Sequence, residues 1–429
     1  MTNATTNFAF VNNTGSSTAY AYVTGNDLNN NNALAMIQTD GKTVYYPASP
    51  SGTNQPLAVD CAIPLGDPGT TTNVTIPQLG GARIWFVVDS KLTFLLNPGP
   101  GLVEPSVTNT TDPNYNLKWD FCEFTYNSTQ LFANITYVDF VCLPIALQLT
   151  NTSGAVQTVE GLPTDGLDQI CTQLKQQASS ENSDWTKLIV TAPDGSNLRA
   201  LSANSGSIVD STFLSGYYES YVNSAWAKYA STALEVDTQA QWGTVSGTTT
   251  ANANTLSFGT NLTFAKPATA DVFSCSTGPF ANYPAATSDE MGAIGARLAA
   301  ALNRSTLLTD PDQPDGETNP ASFYQTSPTN HYARICHSVN IDGRGYAFPY
   351  DDVAPSSETA PDQAGTVSDG SPQLLTVTVG GPPSSAGPAT GGNKKETDDG
   401  KKSGAKTGTM AGMLQKVKTL FTGCFGSRK

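Results

Sequence analysis

Short apolar segments separated by turn signals run through the first 150 residues and restrict the fold more than any other feature of the sequence. Gly-containing turns, such as those at 39–41, 67–69 and 97–101, lie between them. Many short strands broken by such turns are typical of a β-sandwich or barrel, so we predict a mainly β fold. The segments are Phe8–Val11, Ala19–Val23, Val44–Tyr46, Ile84–Val88, Leu92–Leu96, Trp119–Tyr126, Leu131–Val141 and Ile145–Leu149.

The apolar periodicity changes from that of strands to that of helices between residues 155 and 327. Apolar residues fall at helical spacing just after Pro163 and again along residues 211–231. A third helix is predicted to begin at Thr287, because Glu290 three residues later completes a capping box. This middle part is therefore predicted to be an inserted α/β domain.

The β domain, which begins with residues 1–154, is predicted to resume over 328–380. Three segments there have strand character: Ala333–Val339, the run at 343–353 and Leu374–Val379. From residue 381 onward the composition is dominated by Gly, Pro, Ser and Lys, which predicts a disordered tail.

The end of this tail has two interpretations, and the sequence leaves both open. Met410, Met413, Leu414, Val417, Leu420 and Phe421 fall at helical spacing, and Cys424 follows them. One interpretation is a short amphipathic helix with an acylated cysteine, which gives weak membrane contact. The other is a solvated tail.

The charge balance restricts the class of partner. The formal net charge is −14, with 22 Lys+Arg against 36 Asp+Glu, and an acidic chain does not suit nucleic acid, whose phosphates require a basic face. A surface rich in Asn, Thr, Tyr and Trp suits neutral polar polymers such as polysaccharides. No apolar run reaches the ~18–20 residues of a membrane-spanning helix.

The evidence on cellular location is mixed. The residues at the N-terminus of this sequence lack the basic and apolar regions of a signal peptide. Nine Asn-x-Ser/Thr sequons nevertheless lead us to expect an extracellular or cell-wall location, although a chain this rich in Asn and Thr also forms sequons by chance. The sequons begin at Asn3, Asn12, Asn73, Asn109, Asn127, Asn134, Asn151, Asn261 and Asn303.

The seven cysteines are widely and irregularly spaced, which argues against a structural zinc site. One or two disulfides fit this spacing, and Cys122 with Cys142 is the favoured pair because the two flank one compact strand region. The odd number leaves at least one thiol free.

Two carboxylates stand out as candidates for catalysis. Glu123 lies within Trp119–Tyr126, and Asp139 lies in another aromatic, apolar segment. Either acid alone also fits a structural role, paired with an arginine or capping a hairpin. Together they fit a glycosidase pair, in which one acid protonates the leaving oxygen and the other activates water. In a straight hairpin they would lie ~17 Å apart, whereas inversion needs ~6.5–9.5 Å between carboxyls. A bulge, a longer loop or leaning side chains would close this gap.

The sequence motifs around these two acids resemble the catalytic signature of glycoside hydrolase family 64. The sequence reads Trp-Asp-Phe-Cys-Glu-Phe-Thr over 119–125, and sixteen residues after Glu123 comes Asp139 in Tyr-Val-Asp-Phe-Val. The opening Phe8–Asn13 and the tyrosine-rich run at 345–353 resemble the opening and closing strands of thaumatin-like folds. The resemblance spans about residues 7–355 and implies a thaumatin-like β-sandwich or barrel with an inserted α/β domain and an open groove between them.

The resemblance also implies roles for individual residues. Glu123 would be the general acid and Asp139 the general base of an inverting hydrolysis. Thr125, Asn127 and Thr136 would line the sugar subsites, and Phe132 would take the position of an aromatic platform. Ordinary hairpin composition also explains the Thr and Asn residues.

The leading hypothesis is therefore an endo-β-1,3-glucanase that releases laminari-oligosaccharides from laminarin-type or cell-wall glucan. The alternative is a non-catalytic thaumatin-like protein that binds β-glucan, and a third hypothesis is a surface or adhesive protein with a relic fold. The resemblance implies no metal or organic cofactor.

Overall fold

The computed structural model describes residues 2–249, 254–357 and 362–382. The predicted disordered tail, its amphipathic helix and Cys424 therefore lie outside the described residues, apart from Gly381 and Pro382. The strands are β1 Thr5–Asn12, β2 Ala19–Asp27, β3 Ala33–Ile37, β4 Val44–Tyr45, β5 Gln55–Pro56, β6 Ile63–Pro64, β7 Thr71–Pro77, β8 Leu79–Val88, β9 Leu95–Asn97, β10 Gly101–Val103, β11 Lys118–Tyr126, β12 Leu131–Ile135, β13 Phe140–Val141, β14 Ile145–Asn151, β15 Val156–Val159, β16 Ile189–Thr191, β17 Asn197–Leu201, β18 Leu234–Asp237, β19 Thr244–Thr249, β20 Thr255–Ser257, β21 Thr263–Ala265, β22 Asp312–Gln313, β23 Thr366–Asp369 and β24 Pro372–Val379.

Two large sheets form the β part of the molecule. One has five strands in the order β15-β14-β24-β1-β7, and the other has eight, in the order β23-β12-β11-β8-β2-β3-β4 with β6 beside β2. Phe8 and Phe10 of β1 make edge-to-face contacts with Phe124 and Phe86 of the other sheet, at 5.0 and 5.6 Å between ring centroids. The predicted mainly β fold is confirmed, and its core lies between these sheets.

Strand alternation decides which side chains of the eight-stranded sheet leave this core. Because successive side chains point to opposite faces, Phe124 on the core side places Glu123 and Thr125 on the outer face. The pairing of Glu123 with Arg83 on β8 puts the arginine on the same outer face. The candidate acid therefore faces away from the sandwich core.

The described helices lie within residues 155–327, as predicted, except for one that follows this region at His331–Val339. The helix expected after Pro163 begins at Gly166, and the helix expected at Thr287 begins at Ser288, one residue after the predicted start. The helix predicted over 211–231 is shorter. The α-helices of the described residues are α1 Gly166–Glu181, α2 Ala203–Val209, α3 Glu219–Lys228, α4 Thr269–Ser274, α5 Ser288–Arg304 and α6 His331–Val339; short 3₁₀ turns cover Trp185–Leu188, Gly278–Phe280 and Pro320–Ser322.

The strand predicted at Ala333–Val339 is wrong, because these residues belong to α6. Asn330 caps the helix by accepting a hydrogen bond from the Ala333 backbone N–H. The buried residues Tyr332, Ile335, Cys336 and Val339 then follow a helical period.

The run at 343–353 is also not the predicted strand. It forms turns, and within it only Tyr346 makes a β-bridge, to Thr136. A side chain on Gly345 would meet the Tyr137 ring at 2.3 Å, so this turn packs too closely for any other residue. The last strand among the described residues is β24, as predicted for Leu374–Val379.

The favoured disulfide between Cys122 and Cys142 is also wrong. Both cysteines are free and buried, as are the other four that the structure describes. Cys122 lies in the eight-stranded sheet, whereas Cys142 follows β13, which pairs with β17 in a separate three-stranded sheet.

Three of the nine sequons lie in buried positions. The side chains of Asn12, Asn134 and Asn303 are inside the fold, so these sites cannot carry a glycan in the folded protein. In the described part of the chain, no helix combines the length and the apolar character that crossing a bilayer requires.

Candidate active site

Glu123 lies on the outer face of the eight-stranded sheet, on a strand with neighbours on both sides. In β11 it pairs with Arg83 of β8 on one side and with Asn134 of β12 on the other. Asn134 is therefore the residue directly opposite Glu123 in the β11–β12 hairpin. Glu123 is 8% exposed, so its carboxyl is almost removed from water but still reaches the surface.

Arg83 is the direct partner of Glu123. Its Nε donates to Oε1 of Glu123 at 3.2 Å, and its Nη1 donates to Oε2 of Glu104 at 2.5 Å. The guanidinium lies 4.9 Å from the centroid of Phe121 and 5.5 Å from that of Trp85. These cation–π contacts and two carboxylates hold the arginine in one place.

Asp139 does not lie on a straight extension of the hairpin. β12 ends at Ile135, and Asp139 is in a bend between β12 and β13. The ~17 Å estimate for an extended strand therefore does not apply. The bend is held by the Asp139 carbonyl, which accepts from the Ser202 backbone N–H at 2.9 Å, and by Phe140, whose ring packs on Trp119 at 4.8 Å.

The charges of this face act on one another. Burial raises the pKa of Glu123, the guanidinium of Arg83 opposes this rise, and the carboxylates of Asp139 and Glu104 add to it. Burial alone would lower the pKa of Arg83, but Glu123, Glu104 and Asp139 together raise it. Asp139 is therefore close enough to interact with both members of the ion pair.

Thr125 and Phe132 form a cross-strand pair next to Glu123. They face each other in the register of β11 and β12, two residues along from Glu123 and Asn134. Thr125 is buried, and its hydroxyl has no hydrogen-bond partner in the described part of the chain. Phe132 is partly exposed.

Asn127 lies in the turn between β11 and β12, and Thr136 follows the last residue of β12. Asn127 is in the hairpin turn, where its side-chain oxygen accepts from Thr129 and from the Gln130 backbone N–H. Thr136 is buried just after β12 and makes the bridge to Tyr346. The structure thus gives Asn127 a role in the turn, and its predicted contact with sugar stays a prediction.

Sequence reasoning missed Arg83 and Glu104. A signal for Arg83 was present, because it is a charged residue inside an apolar strand, as Glu123 is. Glu104 has no such signal, since it follows the short strand β10 and precedes a proline. Only the fold brings it to the arginine.

No group of three or more His, Cys, Asp or Glu side chains is placed to hold a metal ion among residues 2–249, 254–357 and 362–382. What this arrangement of Arg83, Glu104, Glu123 and Asp139 offers is proton transfer. It combines one carboxyl that is nearly buried with a second, partly exposed carboxyl nearby.

Comparison with known proteins identifies relatives over most of the chain. The "Glucan endo-1,3-beta-glucosidase" of Arthrobacter sp. (strain YCWD3) is 32% identical over 349 residues, which are 80% of this chain and 59% of that relative. The protein of the same name from Cellulosimicrobium cellulans is 30% identical over 346 residues, again 80% of this chain and 59% of the relative. The chain thus spans 59% of the length of these curated relatives.

Solved structures match over most of the chain. A crystal structure of a laminaripentaose-producing β-1,3-glucanase in complex with laminaritetraose has a TM-score of 0.76 at 31% identity, and covers 88% of this chain and 98% of its own. The β-1,3-glucanase domain (GH64) from Clostridium beijerinckii, at 23% identity and a TM-score of 0.67 with the same coverage, shows the shared fold. The family model described as "Beta-1,3-glucanase" matches residues 4–379, and the chain therefore belongs to glycoside hydrolase family 64.

Proposed function

We propose that the protein is an endo-β-1,3-glucanase that hydrolyses laminarin-type or cell-wall glucan to laminari-oligosaccharides, with inversion at the anomeric carbon. The observation that carries this proposal is the pair of acids on the outer face of the sheet. Glu123 is nearly buried and has a raised pKa, and Asp139 is partly exposed and close enough to contribute to that rise. The printed names of the relatives support the substrate class.

In this mechanism the two acids divide one proton-transfer cycle. The protonated carboxyl of Glu123 donates its proton to the glycosidic oxygen as the bond from that oxygen to the anomeric carbon breaks. The carboxylate of Asp139 takes a proton from a water molecule, and the water oxygen attacks the anomeric carbon from the opposite face. The products are a shortened chain and a new reducing end in the α configuration.

The β-glucan chain would lie across the outer face of the eight-stranded sheet, in a groove between the thaumatin-like β part and the α/β part. β13 supports this placement, because it follows Asp139 directly and pairs with β17 of the α/β part. The subsites would be formed by residues of this hairpin, with Thr125 on β11, Phe132 on β12, Asn127 in the turn between them and Thr136 just after β12.

The test compares hydrolysis of laminarin by the wild type, Glu123→Gln and Asp139→Asn. Each variant should lose about 10²- to 10⁴-fold in rate, because it lacks its proton donor or acceptor, while binding laminarin as the wild type does. Asp194→Asn, in an exposed turn far along the sequence from both acids, is the matched control and should be fully active.

Product analysis then separates the alternatives. NMR spectra taken early in the reaction should show the α anomer first, and chromatography should show oligosaccharides. A β anomer formed first would contradict inversion. Binding of laminarin without any new reducing ends would support the non-catalytic β-glucan-binding alternative instead.

A further inference from the structure

The guanidinium of Arg83 is shared unequally between two carboxylates. Its Nη1 is 2.5 Å from Oε2 of Glu104, whereas its Nε is 3.2 Å from Oε1 of Glu123. The strongest arginine–carboxylate pairs are bidentate. The structure records one hydrogen bond from Arg83 to Glu123, and the shorter contact goes to Glu104.

The three side chains of this cluster come from separate parts of the β structure. Arg83 lies on β8 and Glu123 on β11, both in the eight-stranded sheet. Glu104 follows β10, which belongs to a separate three-stranded sheet with β9 and β5. Pro105 comes next, and a residue before proline is restricted to extended conformations, so the loop presents Glu104 in a defined direction.

We propose that Glu104 is a positioning residue for the proton donor: it holds the guanidinium of Arg83, so that Arg83 does not become a full counter-ion of Glu123. This inference rests on the proposed function, in which Glu123 must be protonated to donate. A general acid paired with a fully available arginine would lose its proton too readily. Glu104 removes much of that effect by competing for the same cation.

The charged groups that face Glu123 act in the directions this role requires. Arg83 from β8 favours the carboxylate, whereas Glu104 from the loop after β10 and Asp139 from the bend after β12 favour the protonated form. β12 contributes the uncharged Asn134. Asp120 and Cys122 of β11 itself point to the opposite face of the sheet.

Partial burial makes these charges effective. The side chains of Arg83, Glu123 and Glu104 are 12%, 11% and 26% exposed, so solvent screens them less than it screens a surface pair. The aromatic rings of Phe121 and Trp85 contact the guanidinium and hold it in its position beside Glu123. Loss of the Glu104 charge would therefore leave Arg83 in place and directed at Glu123.

The test is the pH profile of kcat/KM for laminarin in Glu104→Gln. Removing the negative charge of Glu104 and freeing Arg83 both favour the carboxylate of Glu123, so the alkaline limb should move to lower pH. We expect a loss of about threefold to tenfold on the alkaline limb and little change on the acid side of the optimum. Glu104→Asp keeps the charge and should restore most of the wild-type profile.

Asp60→Asn is the matched control. It also removes one negative charge and breaks an ion pair, that of Asp60 with Lys91 at 2.6 Å. This pair is exposed, and neither of its charges is among the main causes of the raised pKa of Glu123. Its alkaline limb should superimpose on that of the wild type. In an Arg83→Met background, Glu104→Gln should move the alkaline limb of the pH profile less, because there is no longer a guanidinium for the substitution to free.

A second measurement does not depend on turnover. In protein labelled with ¹³C at the glutamate side-chain carboxyl, the resonance that is missing from Glu123→Gln belongs to Glu123, and its titration midpoint should be lower in Glu104→Gln. An unchanged or raised midpoint in a variant with the wild-type melting temperature would overturn the role of Glu104. If Glu123→Gln keeps full activity, the proposed function fails instead, whatever this titration shows.

Discussion

The hydroxyl of Thr125 is a buried polar group without a partner in the described part of the chain, two residues beyond the candidate acid on the same face of β11. Such a group costs stability unless water or a ligand satisfies it. If it bonds to sugar, Thr125→Val should raise KM for laminarin roughly threefold to tenfold, the value of one hydrogen bond. The free energy of unfolding in urea should stay the same or increase, because valine has the same shape and no hydroxyl.

Thr24→Val is the comparison for that substitution. Thr24 lies on the same sheet, but its hydroxyl accepts from Trp85 Nε1 at 3.0 Å, so valine leaves a buried donor unsatisfied. We expect it to lose about 1–3 kcal/mol. If Thr125→Val loses as much, or leaves KM unchanged, the subsite role of Thr125 is wrong.

Asp120 has a structural role on β11, on the face opposite to Glu123 and Thr125. Its Oδ2 accepts from the backbone N–H groups of Cys142 and Leu143 at 2.7 and 3.0 Å, and its Oδ1 accepts from that of Phe121. These bonds tie β11 to the chain just beyond Asp139. In Asp120→Asn an amide NH₂ replaces one acceptor, so we predict a loss of about 1–3 kcal/mol in the free energy of unfolding, measured in urea.

The same substitution should also slow laminarin hydrolysis, because the segment that carries Asp139 loses its tether. Asp194→Asn is again the control, since Asp194 accepts comparable bonds in an exposed turn. An Asp120→Asn protein with the stability and rate of that control would contradict the tether.

At the scale of single elements, the two histidines of the chain lie on one helix, α6, in opposite environments. His331 accepts from Arg334 Nε at Nδ1, so the proton of the neutral ring is on Nε2, 3.0 Å from Glu181. Both ring nitrogens of His337 face acceptors, the Gly343 carbonyl and the Asp351 carboxylate, which suits a doubly protonated ring.

Their pKa values move in opposite directions. Burial lowers the pKa of His331. Burial alone would also lower that of His337, but Asp351 and Gly343 outweigh burial and the nearby Arg304, and raise it. His337 therefore contributes stability that is full below the unfolded-state pKa of about 6.5 and is lost as the pH rises through its folded-state pKa. The contribution of His331 is full above about pH 6.5 and is lost as the pH falls toward its folded-state pKa.

We predict that His337→Gln costs more stability at pH 5 than at pH 8, and that the cost of His331→Gln has the opposite pH dependence. Urea unfolding of both variants and the wild type at several pH values measures this. Because both histidines are on one helix, each variant is the control for the other. If the loss of unfolding free energy changed with pH in the same way in both variants, the assigned protonation states would be wrong.

The elements also show where sequence patterns succeed and fail. Strands such as β1 and β11 were predictable because each is a short apolar segment between turn signals, and α5 because an apolar stripe follows its N-terminal capping signal. α6 was taken for a strand, since nine residues hold too few turns to separate the two periods clearly. Whether the bend at Asp139 would shorten the hairpin was undecidable, because it depends on β13 pairing with β17, sixty residues away along the chain.

On the scale of the whole molecule, the site depends on parts of the chain that local sequence cannot relate. Glu123 and Asp139 were found because both stand within apolar segments and resemble a known signature. Glu104 comes from the loop after β10, a strand of another sheet, and the free state of Cys122 and Cys142 is seen only in the structure. Charge and hydropathy patterns report local burial, whereas these relations are set by long-range pairing.

The longest-range pairing joins the two ends of the described fold. β24 lies between β14 and β1, and its Leu374–Val379 pair in parallel with Asn7–Asn12. Removal of β24 would leave the inner edges of both neighbours unpaired and expose the core residues Phe8 and Phe10. A chain that ends at Ser371 should therefore show no cooperative unfolding transition.

A chain that ends at Pro382 keeps the whole sheet and is the matched truncation. It also keeps the hydrogen bonds of Asn13 Nδ2 to the Gly381 carbonyl and of the Thr164 backbone N–H to the Pro382 carbonyl, which tie the end of β24 to the beginning of both the β and the α/β parts. We expect this protein to retain the melting temperature and the laminarin hydrolysis of the full chain. Cooperative unfolding of the shorter chain at that same temperature would show that β24 is dispensable. Pairing of β24 with β1 and β14 would then not be needed for the stability of the fold.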